Sequence, residues 1–72
     1  MNKKTIEITI SSEFITLGQF LKFADIIQSG GEAKSFLLQT QVKINGEVDN
    51  RRGRKLRNGD VIEIEGKTYE IR

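Results

Sequence analysis

Val42-Lys43-Ile44-Asn45-Gly46-Glu47-Val48 reads as a strand, a two-residue turn and a returning strand. Val42 and Ile44 are apolar and Lys43 is charged, so a regular strand buries the first two and leaves Lys43 in solvent. Asn45-Gly46 is the strongest short hairpin signal, because both residues accept the positive φ of a type I′ turn. An antiparallel pair therefore sits in the middle of the chain, and the other segments arrange around it.

Upstream lie two helix starts. Thr16-Leu17-Gly18-Gln19 has the form of a capping box, with Thr16 at the N-cap and Gln19 reaching back. Leu17, Phe20, Leu21 and Ala24 follow at three- and four-residue spacing, which predicts an amphipathic helix of about three turns ending near Ile27. Ser29-Gly30-Gly31-Glu32 repeats the capping pattern and opens a second helix with Ala33, Phe36 and Leu37 as its apolar stripe. The link between them is short, so the helices should be neighbours. Before them, Thr5–Ile10 alternates apolar and polar, a half-buried strand with Ile6, Ile8 and Ile10 inward, and Ser11-Ser12-Glu13 ends it.

Downstream of the hairpin comes a basic segment, expected as a loop. Asn58-Gly59-Asp60 then makes a turn, and Val61–Glu65 and Thr68–Ile71 form a hairpin around Gly66-Lys67. Strand, two helices and then strands is the order of an α+β domain. The expectation is one small domain over residues 1–72: two adjacent helices packed on a small, mainly antiparallel sheet.

The 72 residues leave no room for a second domain and include no cysteine and no histidine. Disulfides, thiolate nucleophiles and the commonest zinc ligands are thereby removed, and a reducing cytoplasm is the expected location. Met1-Asn2-Lys3-Lys4 leads into the alternating Thr5–Ile10 rather than an apolar run, so no signal peptide is expected. No apolar run approaches the ~20 residues of a membrane span. The net charge of +2 is unevenly distributed. Residues 1–50 carry five basic and six acidic residues, whereas residues 51–72 carry seven basic and four acidic ones. Within Arg51–Arg57, Arg51, Arg52, Arg54, Lys55 and Arg57 are basic and none is acidic. Clustering of this kind points to a polyanionic partner.

Residues Ile15 to Ile64 resemble the S4 RNA-binding domain. The resemblance rests on Leu17, Phe20 and Leu21 in the first helix, and on Ser29 with Ala33-Lys34 at the start of the second. Val42-Lys43-Ile44-Asn45-Gly46 matches the family's V-x-V-N-G, and Gly59-Asp60-Val61-Ile62 matches its G-D-x-I. Ser29–Lys34, and Asn45-Gly46-Glu47 with Arg51–Leu56, are similar to the small stand-alone S4 proteins of the YaaA/YbcJ type. The resemblance implies an S4-like (alpha-L) fold, RNA binding with a link to the ribosome or its assembly, and no catalysis. The chain departs from the family pattern in places. The usual Arg-Leu-Asp opening of the first helix is Thr16-Leu17-Gly18, Gly30 replaces the first arginine of the second helix, and Ser35 replaces another.

The candidate RNA-binding residues are Arg51, Arg52, Arg54, Lys55 and Arg57, with Lys34, Lys43, Gly30 and Gly31 as extensions. Arginine's planar fork of donors fits phosphate and stacks on bases, and Gly53 allows a close backbone approach. A solvated, solubilising loop is the bland alternative. Gly30-Gly31 could seat a phosphate on the second helix's first N–H groups, with Lys34 one turn along, or could be an ordinary cap in which Glu32 repels anions. Lys43 and, more weakly, Lys22 could extend the basic face or be plain surface lysines. Among the aromatics, Phe20 and Phe36 read as core and Phe23 as an outlying stacking residue.

No catalytic residue, metal site or cofactor is expected. The commonest bases and nucleophiles are absent, and no G-x-x-x-x-G-K-[ST] loop is present. A non-catalytic domain recognising structured RNA, with ribosomal RNA as the partner, is the leading reading. No membrane, small-molecule substrate or oligomer is implied, so a monomer is expected. The rival is an adaptor docking an acidic protein through the same basic loop. Two consequences are expected. Replacing Arg51, Arg52 and Arg54 by Glu should abolish binding without unfolding, and Phe36→Ala should cost about 3–5 kcal/mol.

Overall fold

Residues 4–72 are described by a computed structural model. Residues 1–3, most of the N-terminal stretch in which no signal peptide is expected, lie outside the described residues. The alternating first strand forms as β1 (Thr5–Ile8) and pairs in parallel with β7 (Lys67–Ile71). It is two residues shorter than expected, although Ile10 still donates its N–H to the Arg72 carbonyl at 3.0 Å. Ile8 is buried and Ile10 is half-buried. Ile6 stands opposite Tyr69 in register yet remains 42% exposed, because β1 is the edge of its sheet.

A strand that the alternation did not show follows the serine turn. β2 (Phe14–Thr16) pairs antiparallel with β5 (Lys55–Arg57) in a separate two-stranded sheet. Three residues are too few for a period of two to register. The basic segment is accordingly not all loop, because its last three residues are a strand whose central Leu56 is fully buried.

The capping box at Thr16 forms as read. Gln19 N–H donates to Thr16 Oγ1 at 3.2 Å, and Thr16 N–H to Gln19 Oε1 at 2.9 Å. α1 spans Leu17–Phe23 and is shorter than expected. The reason lies at Asp25, whose φ of 62° is left-handed. Asp25 N–H bonds the Lys22 carbonyl at 3.0 Å and Ile26 N–H bonds the Leu21 carbonyl at 2.9 Å, the paired bonds of a Schellman stop. Aspartate tolerates this conformation better than most residues. Ile26 and Ile27 then reach the core from an irregular segment instead of a third helical turn.

The second helix opens with a 3₁₀ turn, Gly30–Glu32, and continues as α2 (Ala33–Gln39). Ala33 and Leu37 are buried, but Phe36 is only half-buried, a partial correction to its reading as core.

The main sheet has the order β1-β7-β6-β3-β4, with β3 (Val42–Ile44), β4 (Glu47–Val48) and β6 (Val61–Ile64); only β1 is parallel to its neighbour. Ile62 stands in register with both Tyr69 and Ile44, and all three are buried. α1 meets this face where the Phe20 ring lies edge-on to Tyr69, with centroids 5.3 Å apart. The Asn45-Gly46 turn has φ values of 53° and 86°. The last hairpin repeats it at Glu65-Gly66, with φ values of 50° and 81°, one residue earlier than the expected Gly66-Lys67. The primed turn matches the strand twist, and Gly66 supplies its second left-handed position.

Candidate nucleic-acid interface

α1 begins with N–H groups that no earlier turn can satisfy. Leu17 N–H donates to the Arg54 carbonyl at 2.7 Å and Gly18 N–H to the Arg52 carbonyl at 2.9 Å. The basic segment is thus docked by its backbone on the start of α1. The docking is close at Gly18, where a Cβ would lie 2.9 Å from Arg52 Cγ.

Asp49 organises the segment from behind. Its Oδ1 accepts from the Arg51 backbone N–H at 2.9 Å and from Arg51 Nε at 3.1 Å. Its Oδ2 accepts from Arg51 Nη2 at 2.8 Å and Arg54 Nη1 at 2.9 Å. The Arg51 side-chain hydrogen bonds, helped by its backbone N–H and by Arg54, hold the Asp49 carboxyl well below the usual carboxylate range against the opposing effect of burial. Asp49 in turn pushes the Arg51 guanidinium further up. Arg51 and Arg54 are therefore partly neutralised and held in place. The sequence reading missed Asp49, although an aspartate accepting the N–H two residues on is a familiar turn device.

Arg52 points to a different neighbour. With Lys34, Leu37, Leu38 and Asn50 it lines a hollow of about 300 Å³ whose wall contains no carboxylate. Lys34 comes from α2, so two residues eighteen positions apart are brought to one basic site. Lys55 and Arg57 flank a third feature. Lys55 Nζ lies 4.9 Å and Arg57 Cζ 5.5 Å from the centroid of the Phe14 ring, across the β2–β5 pair. Both are cation–π distances. A shallow depression joins Arg51, Arg54, Lys55 and Arg57. Asp60 also lies in it, with its carboxylate taken by Arg57 N–H at 2.7 Å and Asn45 Nδ2 at 3.1 Å.

The extensions sort differently. Glu32 Oε1 accepts from Gln28 N–H at 3.3 Å and Ser29 N–H at 3.1 Å. The turn at Gly30 and Gly31 thus carries its own anion, and both glycines are exposed. Lys43 stands in register between Val48 and Glu63, on the sheet face turned away from the buried Val42 and Ile44. It borders a depression with Glu63, Glu65 and Lys67, and no residue of Arg51–Arg57 lines it. The structure therefore brings Lys34 to the basic segment and leaves Lys43 elsewhere. Among the described residues no cluster of three or more potential metal ligands occurs, and no helix is long and apolar enough to cross a membrane.

Comparison with known proteins agrees with this architecture. A family model described as S4 domain matches residues 8–72. The chain is similar to the probable ribosome maturation protein RlbA of Bacillus subtilis (strain 168), being 68% identical over 59 residues that cover 82% of this chain and 83% of the relative. The family match takes in both helices, strands β2 to β7 and every residue of the basic surface, so the chain belongs to the S4 domain family.

Proposed function

We propose that this chain is a non-catalytic protein that binds structured ribosomal RNA and acts in ribosome maturation in the cytoplasm. Its contact surface is built from Arg52, Lys34, Lys55 and Arg57, with Arg51 and Arg54 held beside them by Asp49. The observation that carries this reading is the hollow shared by Arg52 and Lys34. Two cations from separate elements face one concavity whose lining has no carboxylate, an arrangement suited to phosphate. Membership of a family of RNA-binding domains supports RNA as the ligand, and the similarity to the probable ribosome maturation protein RlbA of Bacillus subtilis supports a ribosomal target. The chain has no histidine or cysteine, which agrees with binding rather than catalysis.

The test is sedimentation of the tagged protein through a sucrose gradient of cell lysate, with and without ribonuclease, followed by sequencing of crosslinked RNA. Ribonuclease-sensitive co-migration with a ribosomal subunit or its precursor is expected, with crosslinks at Arg52 and Lys34. Replacing both with Gln should lower the log–log salt slope by roughly 0.7–0.9 for each phosphate no longer neutralised. Migration as free protein, or in a ribonuclease-resistant complex without RNA crosslinks, would refute the reading in favour of a protein partner.

A further inference from the structure

Phe14 also forms part of the wall of an apolar groove. The groove holds about 610 Å³ between the segment 9–15 and α1. Ile10, Phe14, Ile15 and Phe23 are its apolar wall, and Ser12 and Gln19 supply polar groups. Phe23, the last residue of α1, is 63% exposed although the helix buries Leu17, Phe20 and Leu21. A phenylalanine ring left in water beside an apolar groove calls for an occupant.

The charges around the groove indicate which one. Lys55 and Arg57 sit against the Phe14 ring, and Lys22 borders the same depression as Phe23. Among the described residues Glu13 is the only carboxylate in the groove wall. An apolar groove with cations beside two of its aromatic rings, Phe14 and Phe23, matches a single-stranded nucleotide, whose base stacks while its phosphates meet those cations. The volume lies within the usual range for small-ligand sites, roughly 300–1,000 Å³.

We infer that this groove receives an unpaired RNA base, stacked on Phe23, with Lys55 and Arg57 holding the adjacent phosphates. The inference rests on the RNA-binding reading above and adds a second, single-strand subsite to it. The folded part of the RNA lies on the Arg52–Lys34 hollow, and an extruded base or tail enters the groove.

Phe23 is exposed, so its replacement leaves the core intact. The chain contains no tryptophan, so Phe23→Trp provides a lone indole at the site. The probes are a hairpin RNA with an eight-uridine tail and the same hairpin blunt-ended, followed by anisotropy of the labelled RNA and by tryptophan emission. Tighter binding of the tailed hairpin is expected, with quenching of the indole by the tail alone. Phe23→Ala should weaken tailed-hairpin binding on the order of tenfold and leave the blunt hairpin unaffected. Lys34→Gln with Arg52→Gln should weaken both RNAs alike. If Phe23→Ala leaves the tail's advantage intact, the groove proposal fails while RNA binding stands. If the wild-type protein binds neither RNA, both readings fall. An indole unchanged by RNA but blue-shifted with rising protein concentration would assign the groove to a second copy of the chain and overturn the proposal.

Discussion

Gly18 donates its N–H to the Arg52 carbonyl at 2.9 Å, and the Arg52 stem occupies the space a β-carbon would need. The helix start and the basic segment are thus one unit. The S4 pattern places an aspartate at the position of Gly18, so this departure from the pattern has a local consequence, because only glycine leaves room for Arg52.

Gly18→Ala should therefore separate stability from binding. Alanine is the better helix former by up to ~1 kcal/mol, and the displaced Arg52 opposes that gain. The melting temperature should move by only a few degrees. RNA affinity should fall on the order of tenfold, the worth of a single charge-assisted hydrogen bond to phosphate. Parallel melts and anisotropy titrations check this, and unchanged affinity would show that Arg52 does not touch the RNA.

Asp49→Asn removes the anion that holds Arg51 and Arg54. The folded protein keeps the Asp49 carboxyl below its unfolded value, so this pairing stabilises the fold at pH above the ordinary aspartate value of about 3.9 and is lost as pH falls toward the lowered one. The variant should melt lower at pH 7, with each ~1 kcal/mol worth about 4–8 °C in a domain this size. The gap between variant and wild type should narrow steadily below pH 4. Calorimetry across pH 2–7 reads both. The same ion pairs revise the expectation for Arg51, Arg52 and Arg54. Replacing all three with Glu would gather carboxylates around Asp49 and disturb the segment, so Arg52 with Lys34 is the cleaner pair to change.

Core truncations should rank by burial. Phe20 is fully buried against Tyr69, and Phe20→Ala should cost about 3–5 kcal/mol. Phe36 is only half-buried, and Phe36→Ala should cost about 1–2 kcal/mol, less than the apolar stripe alone implied. Urea denaturation of both variants gives the order directly, and a larger loss at Phe36 would contradict the packing described.

Local signals determined a good deal. The Thr16–Gln19 capping box, the Asn45-Gly46 turn and the alternation of Val42-Lys43-Ile44 formed where the residues predict, because each depends on interactions within a few positions. The two family motifs were also legible, but not that they are joined. Asn45 Nδ2 donates to Asp60 Oδ1 at 3.1 Å, and Asn45 Oδ1 accepts from Val61 N–H at 3.0 Å. The end of α1 was misread because Asp25 takes a left-handed conformation that glycine usually marks.

The site divides in the same way. Sequence alone located the basic cluster at Arg51–Arg57. Only the tertiary structure decided that Asp49 neutralises two of its arginines, that Arg52 and Lys34 line one hollow, that Lys55 and Arg57 gather on Phe14, and that Lys43 faces elsewhere. Charge and periodicity are properties of neighbouring residues and can be read along the chain. Which charges face one another depends on how strands pair across eighteen to sixty-three residues, and that is set by burying Leu17, Phe20, Leu56 and Ile62 together.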